Sequence, residues 1–177
     1  MTERLCLRGP VLSDVESYAR NFVDYDIIRF LSAVVPWPYP EGGVQQYFEE
    51  VLLPQQGLDR WAWAITLKSD RREVIGMVDL WRQGKPENRG FWLAKQHWGK
   101  GLMGEAVGPL TDYAFDRLGF DQLIFSNALG NKQSRRIKEK MGATYLRTEP
   151  ADFVDPVFSE QEIWQLTKAS WYRMRAG

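Results

Sequence analysis

Apolar and polar positions repeat along this chain with two periods, which predict strands in some segments and helices in others. Alternating or continuous apolar runs predict strands at 4–7, 61–67, 74–81, 91–94, 122–129, 143–147 and 159–167. Apolar residues at helical spacing predict helices at 13–22, 41–53, 102–118 and 131–141, with shorter ones within 24–31 and 168–174. This order predicts one domain over residues 1–177, with one mostly antiparallel sheet and helices on both faces.

Residues with strong local preferences mark where these elements end. Ser13 and Glu16 have the capping-box spacing, which predicts the start of the first helix. Pro109 lies inside a predicted helix, where its ring meets the carbonyl of Glu105 at a cost of about 3 kcal/mol, so we expect a kink. The other predicted boundaries are helix ends at Pro54, Gly119 and Gly142, the hairpin connector 68–72 and a turn at 84–88.

A loop with two glycines joins the strand at 91–94 to the helix that begins at Leu102. A strand, a loop and a helix start in this order present several backbone N–H groups to an anion, and the helix dipole favours negative charge at the same place. Gly99 and Gly101 remove side chains where a diphosphate would touch the main chain. We interpret residues 96–101 as the site for the pyrophosphate of a bound cofactor.

Composition narrows the classes of function. Lys plus Arg and Asp plus Glu each number 23, so the net charge of zero argues against a nucleic-acid-binding surface spread over the protein. Cys6 is the only cysteine and His97 the only histidine, so an internal disulfide is excluded and a metal site or catalytic triad is not expected. The N-terminus lacks an apolar signal core and no apolar run reaches membrane-spanning length, which predicts a cytoplasmic protein without membrane contact.

The proline-rich segment 35–40 is expected to form an extended, stiff loop. Trp37 and Tyr39 on this loop indicate either the wall of a pocket or an apolar plug over the core, and both interpretations stay open. Asp26 and Glu41 border the loop on either side.

Two motifs, separated by predicted elements in a fixed order, carry a family resemblance. Residues 96–101, QHWGKG, match the pattern Q/R-x-x-G-x-G/A, and residues 131–143 match N-x-x-S-x-x-x-x-E-[KR]-x-G-[FA]. Together with the proline-aromatic loop and the tail 164–171, they resemble the GNAT superfamily of N-acetyltransferases. Within that superfamily the chain is similar to the RimJ/RimL branch, the ribosomal-protein N-terminal acetyltransferases.

This resemblance implies the GNAT fold, an α/β (α+β) architecture with a single mixed, mostly antiparallel seven-stranded sheet and helices on both faces. It also implies a V-shaped splay between the fourth and fifth strands, those at Phe91 and Leu123, in which acetyl-CoA binds and from which CoA leaves as product. A nucleotide-binding domain of the Rossmann kind is not expected, because GxGxxG near the N-terminus and a parallel sheet are both missing from the pattern.

The resemblance further implies how acetyl-CoA is bound. Backbone N–H groups of the loop and helix start hold the pyrophosphate, with Gln96 shaping the turn, and N–H groups of the preceding strand polarise the acetyl carbonyl. Asn131 contacts the pantetheine arm or serves as an N-cap. Arg135 or Arg136 contacts the 3′-phosphate, or the basic residues of this helix form a solvated face. The implied cofactor-binding residues are Trp92, Leu93, Ala94, Gln96, Trp98, Gly99, Lys100, Gly101, Leu102, Met103, Asn131, Ser134 and Arg135.

Three residues are predicted to take part in catalysis: Ser134, Asp79 and Asp26. By resemblance, Ser134 hydrogen-bonds or protonates the departing thiolate, because Lys138 stands where many GNAT enzymes have a tyrosine. Asp79 ranks first as general base, since a carboxylate between two apolar strand neighbours is unusual, and Asp26 ranks second. For each carboxylate a structural role is the alternative, and an acceptor that arrives as free amine needs no strong base.

The leading hypothesis is an acetyl-CoA-dependent N-acetyltransferase, an acyltransferase that moves the acetyl group by direct attack to a primary amine. The first acceptor class is a protein or peptide N-terminal α-amine. One alternative is a small amine such as a polyamine, aminoglycoside or amino acid, which the acidic segment 149–155 would suit. The other is a CoA-binding regulatory module without turnover. Monomer and homodimer both stay open.

Overall fold

Two antiparallel sheets account for the strands of this protein in a computed structural model that describes residues 1–82 and 87–176. The first sheet has the order β1-β2-β3-β4 and the second the order β5-β7-β6. The strands are β1 (Leu5–Arg8), β2 (Arg60–Leu67), β3 (Asp70–Trp81), β4 (Arg89–Leu93), β5 (Gln122–Ala128), β6 (Thr144–Pro150) and β7 (Glu160–Thr167).

Helices connect the strands and cover both sheets. A 3₁₀ turn at Leu12–Asp14 precedes α1, a second 3₁₀ turn at Lys95–His97 follows β4, and a π-helical turn at Phe48–Leu52 joins α3 to α4. The helices are α1 (Val15–Phe22), α2 (Tyr25–Ile28), α3 (Gly43–Tyr47), α4 (Leu53–Gln55), α5 (Leu102–Asp116), α6 (Lys132–Lys140) and α7 (Lys168–Ala176). Within the described ranges, no helix is both long enough and apolar enough to cross a membrane.

The apolar side chains form two cores on opposite faces of the first sheet. Trp92 packs with Tyr18 and Phe48 beneath the helices that precede β2. Leu93, the next residue of β4, packs instead with Ala106 of α5 in a core that extends over the second sheet. Because successive strand residues point to opposite faces, β4 contributes side chains to both cores.

The two sheets meet at the start of β4. The N–H of Asn88 donates to the carbonyl oxygen of Ile124 at 2.8 Å, and the N–H of Ile124 donates to Oδ1 of Asn88 at 3.0 Å. Beyond this contact no strand ladder joins β4 to β5 in the described residues. The predicted α/β fold class is confirmed, but the prediction of a single seven-stranded sheet is wrong, because the splay between β4 and β5 divides the strands into two sheets.

A second connection between the sheets, here called the strap, joins residues 29–33 to residues 152–155. The N–H of Ala33 donates to the carbonyl oxygen of Asp152 at 3.0 Å, and the N–H of Val154 donates to that of Leu31 at 2.9 Å. Arg29 and Asp155 form an ion pair at 2.6 Å. The strap fixes the segment after α2 to the loop between β6 and β7.

Some predicted element ends differ from the structure. The carboxylate of Asp14 accepts the Val11 N–H at 2.9 Å and α1 begins at Val15, so the capping box at Ser13 is wrong. The helical segment continues past Pro54 to Gln55, directly after the π-helical turn at Phe48–Leu52. Strand β6 runs to Pro150, so the first two residues of the acidic segment 149–155 belong to a strand and not to a loop.

Two further predictions, the kink at Pro109 and the turn at 84–88, are not tested by the structure. Helix α5 contains Pro109 without ending there, and a kink at this residue stays a prediction. The turn predicted at 84–88 lies largely outside the described residues.

Candidate active site

The loop between β4 and α5 depends on two glycines in the left-handed region. Gly99 has φ 73° and Gly101 has φ 74°, conformations that cost other residues about 1–2 kcal/mol. Gly101 stands directly before Leu102, the first residue of α5. A side chain at Gly99 would meet no atom within 4 Å, so this part of the loop borders open space.

The backbone N–H groups from Gly99 to Gly104 donate to no other group in the described part of the chain. On one side of this run, the N–H of Trp98 donates to the carbonyl of Lys95 at 3.1 Å. On the other, the N–H of Glu105 donates to the carbonyl of Gly101 at 3.1 Å. Unpaired N–H groups at a helix start attract an anion, so the run can hold a diphosphate.

The free N–H groups differ by one residue at each end from those predicted to bind the pyrophosphate, which run from Trp98 to Met103. Trp98 was predicted to contribute its N–H, but the 3₁₀ turn already uses that group. Gly104, which was not predicted, offers a free N–H and has no atom within 4 Å of where a side chain would lie. Lys100, Leu102 and Met103 keep free N–H groups as predicted.

Side chains from the N-terminus and from α1 hold the loop in place. Arg4 donates to the carbonyl of Lys100 at 3.0 Å and pairs with Glu105 at 2.7 Å. Partial burial raises the pKa of Glu105, but hydrogen bonds from Thr2 and Arg4 outweigh it and lower that pKa overall. Gln96 donates to Oδ1 of Asn21 at 2.9 Å, as expected for a residue that shapes the turn.

Strand register decides which N–H groups of β4 face the splay. The N–H of Ala94 donates to the carbonyl of Ile75 at 2.8 Å, and Trp92 lies opposite Met77. In an antiparallel pair, residues alternate between those that bond the partner strand and those that face away. The N–H groups of Trp92 and Ala94 therefore point to β3, and the prediction that they serve the cofactor is wrong for these two groups.

The N–H groups of Phe91 and Leu93 have the opposite phase and point into the splay. The carbonyl of Leu93, which points the same way as its N–H, accepts the indole N–H of Trp98 at 2.6 Å. Leu93 thus keeps its predicted role as a candidate donor to the acetyl carbonyl. Phe91, which also belongs to the strand segment 91–94 predicted to polarise the carbonyl, is a second candidate.

The start of α6 brings the predicted Asn131 and Ser134 together. Oδ1 of Asn131 accepts the N–H of Ser134 at 3.1 Å, so Asn131 is an N-cap. Ser134 is buried, and its Oγ accepts a hydrogen bond from Nζ of Lys138 at 2.8 Å. Lys138 is only 1% exposed, which contradicts the interpretation of all the basic residues of α6 as a solvated face.

Arg135 is engaged by two carboxylates. Its Nη1 donates to Glu162 at 3.0 Å, and its Nε donates to Glu139 at 2.9 Å. Its contact to a 3′-phosphate stays a prediction. A pocket of about 290 Å³ opens beside it and is lined by Leu129, Gly130, Asn131, Lys132, Arg135 and Glu162.

Asp79, the first candidate base, lies in an ion pair on the α1 side of the first sheet. It is 8% exposed and contacts the guanidinium of Arg60, which also donates to the hydroxyl of Tyr47 at 2.6 Å. Burial, the largest single effect, works to lower the pKa of Arg60, but the charge and hydrogen bond of Asp79 together with Tyr47 outweigh it and raise that pKa. This environment favours a structural role for Asp79 over that of a general base.

Asp26, the second candidate base, is half-buried and pairs with the exposed Lys95, the first residue after Ala94. The hydrogen bond from Lys95, followed by its charge, lowers the pKa of Asp26 below its ordinary value. A carboxylate of lowered pKa is a weak proton acceptor at neutral pH. Its pairing with Lys95 places Asp26 beside the end of β4.

Sequence reasoning missed Arg89, the first residue of β4. Its guanidinium lies 3.7 Å from the centroid of the Phe125 ring, and its Nη1 contacts Sδ of Met141 at 3.2 Å. Its Nε and Nη2 are buried and have no hydrogen-bond partner among the residues that the structure describes. Burial lowers the pKa of Arg89 to about 9. A charged residue at the head of an apolar strand is the signal that points to it.

Comparison with known proteins decides the family. A profile described as "Acetyltransferase (GNAT) domain" matches residues 4–144. The chain belongs to this family. The predicted family, an acetyltransferase domain of the GNAT type, is confirmed.

Relatives and solved structures resemble the chain to different extents. The "Putative ribosomal N-acetyltransferase YdaF" of Bacillus subtilis (strain 168) is 32% identical over 69 residues, 39% of this chain and 38% of that protein. The acetyltransferase from Agrobacterium tumefaciens str. C58 has a TM-score of 0.70 at 25% identity, covering 95% of this chain and 93% of that one. RimL, a ribosomal L7/L12 alpha-N-protein acetyltransferase in complex with coenzyme A, has a TM-score of 0.78 at 15% identity, covering 94% and 95%.

These matches carry different weight. The chain spans well under two thirds of the length of the first curated relatives that it matches. The likeness to RimL at 15% identity concerns the fold. The roles of individual residues, and the amine that is acetylated, therefore stay predictions.

Proposed function

We propose that this chain transfers the acetyl group of acetyl-CoA to a primary amine, with the N-terminal α-amine of a protein or peptide as the first acceptor class. The observation that carries the proposal is the run of free N–H groups from Gly99 to Gly104 at the start of α5. A diphosphate is the ligand that such a run suits, because its charge matches the helix dipole and its oxygens accept several N–H groups.

The residues around the splay divide the remaining tasks. Acetyl-CoA supplies the acetyl group as a thioester. The N–H groups of Phe91 and Leu93 face the splay, where donors of fixed position stabilise negative charge on a carbonyl oxygen. Ser134, buried at the start of α6, is the candidate donor to the departing sulfur. The acceptor amine then attacks directly, and no acyl-enzyme intermediate is involved.

The environment of the acidic segment favours a peptide over a polyamine. Glu149 pairs with Arg147 at 2.7 Å, and Asp155 pairs with Arg29 at 2.6 Å. Two carboxylates of the segment are thus already neutralised, which weakens its attraction for a multiply charged amine. The names of the similar proteins, a ribosomal N-acetyltransferase and a protein α-N-acetyltransferase, support the same choice.

The proline-aromatic loop supplies a surface for such an acceptor. Tyr39 packs its ring against Phe22 at 5.7 Å between centroids, so it serves the core. Trp37 is 41% exposed and packs against Tyr25 at 5.2 Å. Tyr39 therefore supports the plug interpretation and Trp37 the pocket-wall interpretation.

Calorimetry with acetyl-CoA tests the proposed pyrophosphate site, the free N–H groups from Gly99 to Gly104. Two glycines of similar φ, one inside this site and one outside it, provide a test variant and its control. Gly101→Asp places a carboxylate beside the free N–H groups, so we expect saturable binding to be abolished. Gly119→Asp carries similar backbone strain, since the φ values are 74° and 70°, but at the other end of α5. It should bind acetyl-CoA like the wild type. An unchanged affinity of Gly101→Asp for acetyl-CoA would contradict the assignment of this loop as the pyrophosphate site.

Thiol release with a panel of amines tests the acceptor. Peptides with a free N-terminus should be acetylated, and the same peptides with a blocked N-terminus but a free lysine should not. Turnover of spermidine or an aminoglycoside alone would indicate the small-amine alternative. Acetyl-CoA binding without thiol release for any amine would favour a regulatory module.

A further inference from the structure

Lys138 is a buried amine without a carboxylate partner. It is 1% exposed, and its hydrogen-bond partner in the described residues is Oγ of Ser134 at 2.8 Å. No carboxylate of the described chain lies within ion-pair distance of Nζ. A buried ammonium without a counter-charge costs the fold several kcal/mol in desolvation, and a purely structural role does not explain that cost.

The charged groups that face Lys138 come from two other elements. Arg89 of β4 repels its ammonium, and Glu162 of β7 attracts it with a smaller effect. Glu162 is itself committed to Arg135 of α6 at 3.0 Å and to Asn127 of β5 at 3.0 Å. Burial, the first cause, and the charge of Arg89 hold the pKa of Lys138 well below its ordinary value.

Lys138 also lies close to the splay. Its Nζ is 5.9 Å from the centroid of the Phe91 ring, and Phe91 is one of the residues whose N–H points into the splay. Ser134 and Lys138 are one helical turn apart, so the hydroxyl and the amine lie on one face of α6. The two form a short chain from a buried amine to the predicted leaving-group site.

We propose that Lys138 supplies, through Ser134, the proton that the departing thiolate takes up. This step rests on the proposed function. The amine nitrogen forms a bond to the thioester carbonyl carbon, the carbon–sulfur bond breaks, and the sulfur takes the hydroxyl proton of Ser134. The serine oxygen recovers a proton from the Lys138 ammonium. The surplus proton on the acetylated nitrogen passes to solvent and restores the ammonium, so protons balance over one turnover.

The pH dependence of kcat distinguishes this relay from a structural contact. An ammonium donor is active while protonated, so kcat of the wild type should fall in a single ionisation as pH rises through a value below 10.5, the ordinary pKa of lysine. Lys138→Met should lower kcat about 100-fold, the smaller end of the range for general acids, and should remove that alkaline decline. The Kd for acetyl-CoA should be unchanged.

Three further variants separate the explanations. Lys138→Gln keeps a hydrogen-bond donor beside Ser134 but has no proton to transfer, so it should behave like Lys138→Met. Ser134→Ala should also lose the alkaline decline. Lys140→Met removes a charge from an exposed position on the same helix and should keep the wild-type profile.

Several outcomes would overturn the relay. It fails if the wild type shows no decline in kcat below pH 10.5, a result that needs no variant to fold. It also fails if Lys138→Gln restores wild-type turnover, or if Lys138→Met keeps the profile. A wild type that binds no acetyl-CoA and acetylates no amine would instead refute the proposed function.

Discussion

Replacing Asp79 by Asn tests whether this residue is a base or a structural partner of Arg60. The substitution keeps the shape of the side chain and removes its charge, leaving Arg60 half-buried, with 19% of its side chain exposed and without its carboxylate partner. Breaking a buried ion pair by removing one partner typically costs 3–5 kcal/mol. Arg60 keeps the hydroxyl of Tyr47 at 2.6 Å, so we expect the lower end, about 3 kcal/mol.

The expected loss is large enough to measure by thermal unfolding. For a chain of this size each 1 kcal/mol shifts Tm by about 2–4 °C, so Asp79→Asn should unfold about 6–12 °C below the wild type. Removing both charges, in Asp79→Asn with Arg60→Met, should recover most of this loss because no buried charge is left unpaired. The exposed Asp121→Asn is the control and should unfold with the wild type.

Turnover supplies the second half of this test. If Asp79 is structural, kcat of Asp79→Asn, measured below its unfolding transition, should keep the acidic side of its pH profile. The reasoning is refuted if Asp79→Asn unfolds within 1–2 °C of the wild type, a margin of about 0.5 kcal/mol, and loses that acidic limb. Asp79 would then act as the base, and its ion pair with Arg60 would contribute little to the stability of the protein.

Four other expectations follow from the same contacts. Arg89→Met should raise Tm, because it removes a buried cation whose pKa burial lowers to about 9 and whose protonated form the fold disfavours at neutral pH; a lower Tm would contradict this. Asn131→Ala should destabilise the protein by about 1 kcal/mol in urea unfolding, since it removes the cap of α6; no change would show that the cap is dispensable. The pKa of Asp155 is lowered, chiefly by the Val157 N–H and then by Arg29, so its stabilisation is present above the unfolded pKa and is lost as pH falls through the folded one; the hydrogen-exchange protection factors of the strap, which correct for the intrinsic rate at each pH, should therefore fall below about pH 4, and equal protection factors at pH 3 and 6 would refute it. Cys6→Ala should keep full activity, because β2 and β3 separate β1 from β4 and place Cys6 about 14 Å from the splay; loss of turnover would indicate an acyl-cysteine intermediate.

Local features of the site were predictable from the sequence. Gly99 and Gly101 were identified because a tight loop before a helix calls for residues that adopt positive φ. The run of free N–H groups follows from the start of any helix, so its place was known to within one residue. These properties depend on a few neighbouring residues, which the sequence displays directly.

Properties set by distant residues were not predictable in the same way. Whether Leu93 or Ala94 turns its N–H to the splay depends on the register of β3, which a hydrogen bond to Ile75 fixes. Asp79 was recognised as unusual, but its partner Arg60 lies 19 positions away on another strand. Lys138 sits in a helix whose composition indicates a solvated face, and its burial comes from side chains of other elements.

The contacts at Asn88 and at the strap make the protein a braced frame rather than a hinge. Rotation of one sheet about the Asn88–Ile124 contact would pull the strap apart, and rotation about the strap would break the bonds of Asn88. We therefore expect the angle of the V to differ little between the free and the ligand-bound protein. Substitutions in residues 152–155 that keep both braces can change the acceptor side while leaving the width of the V untouched.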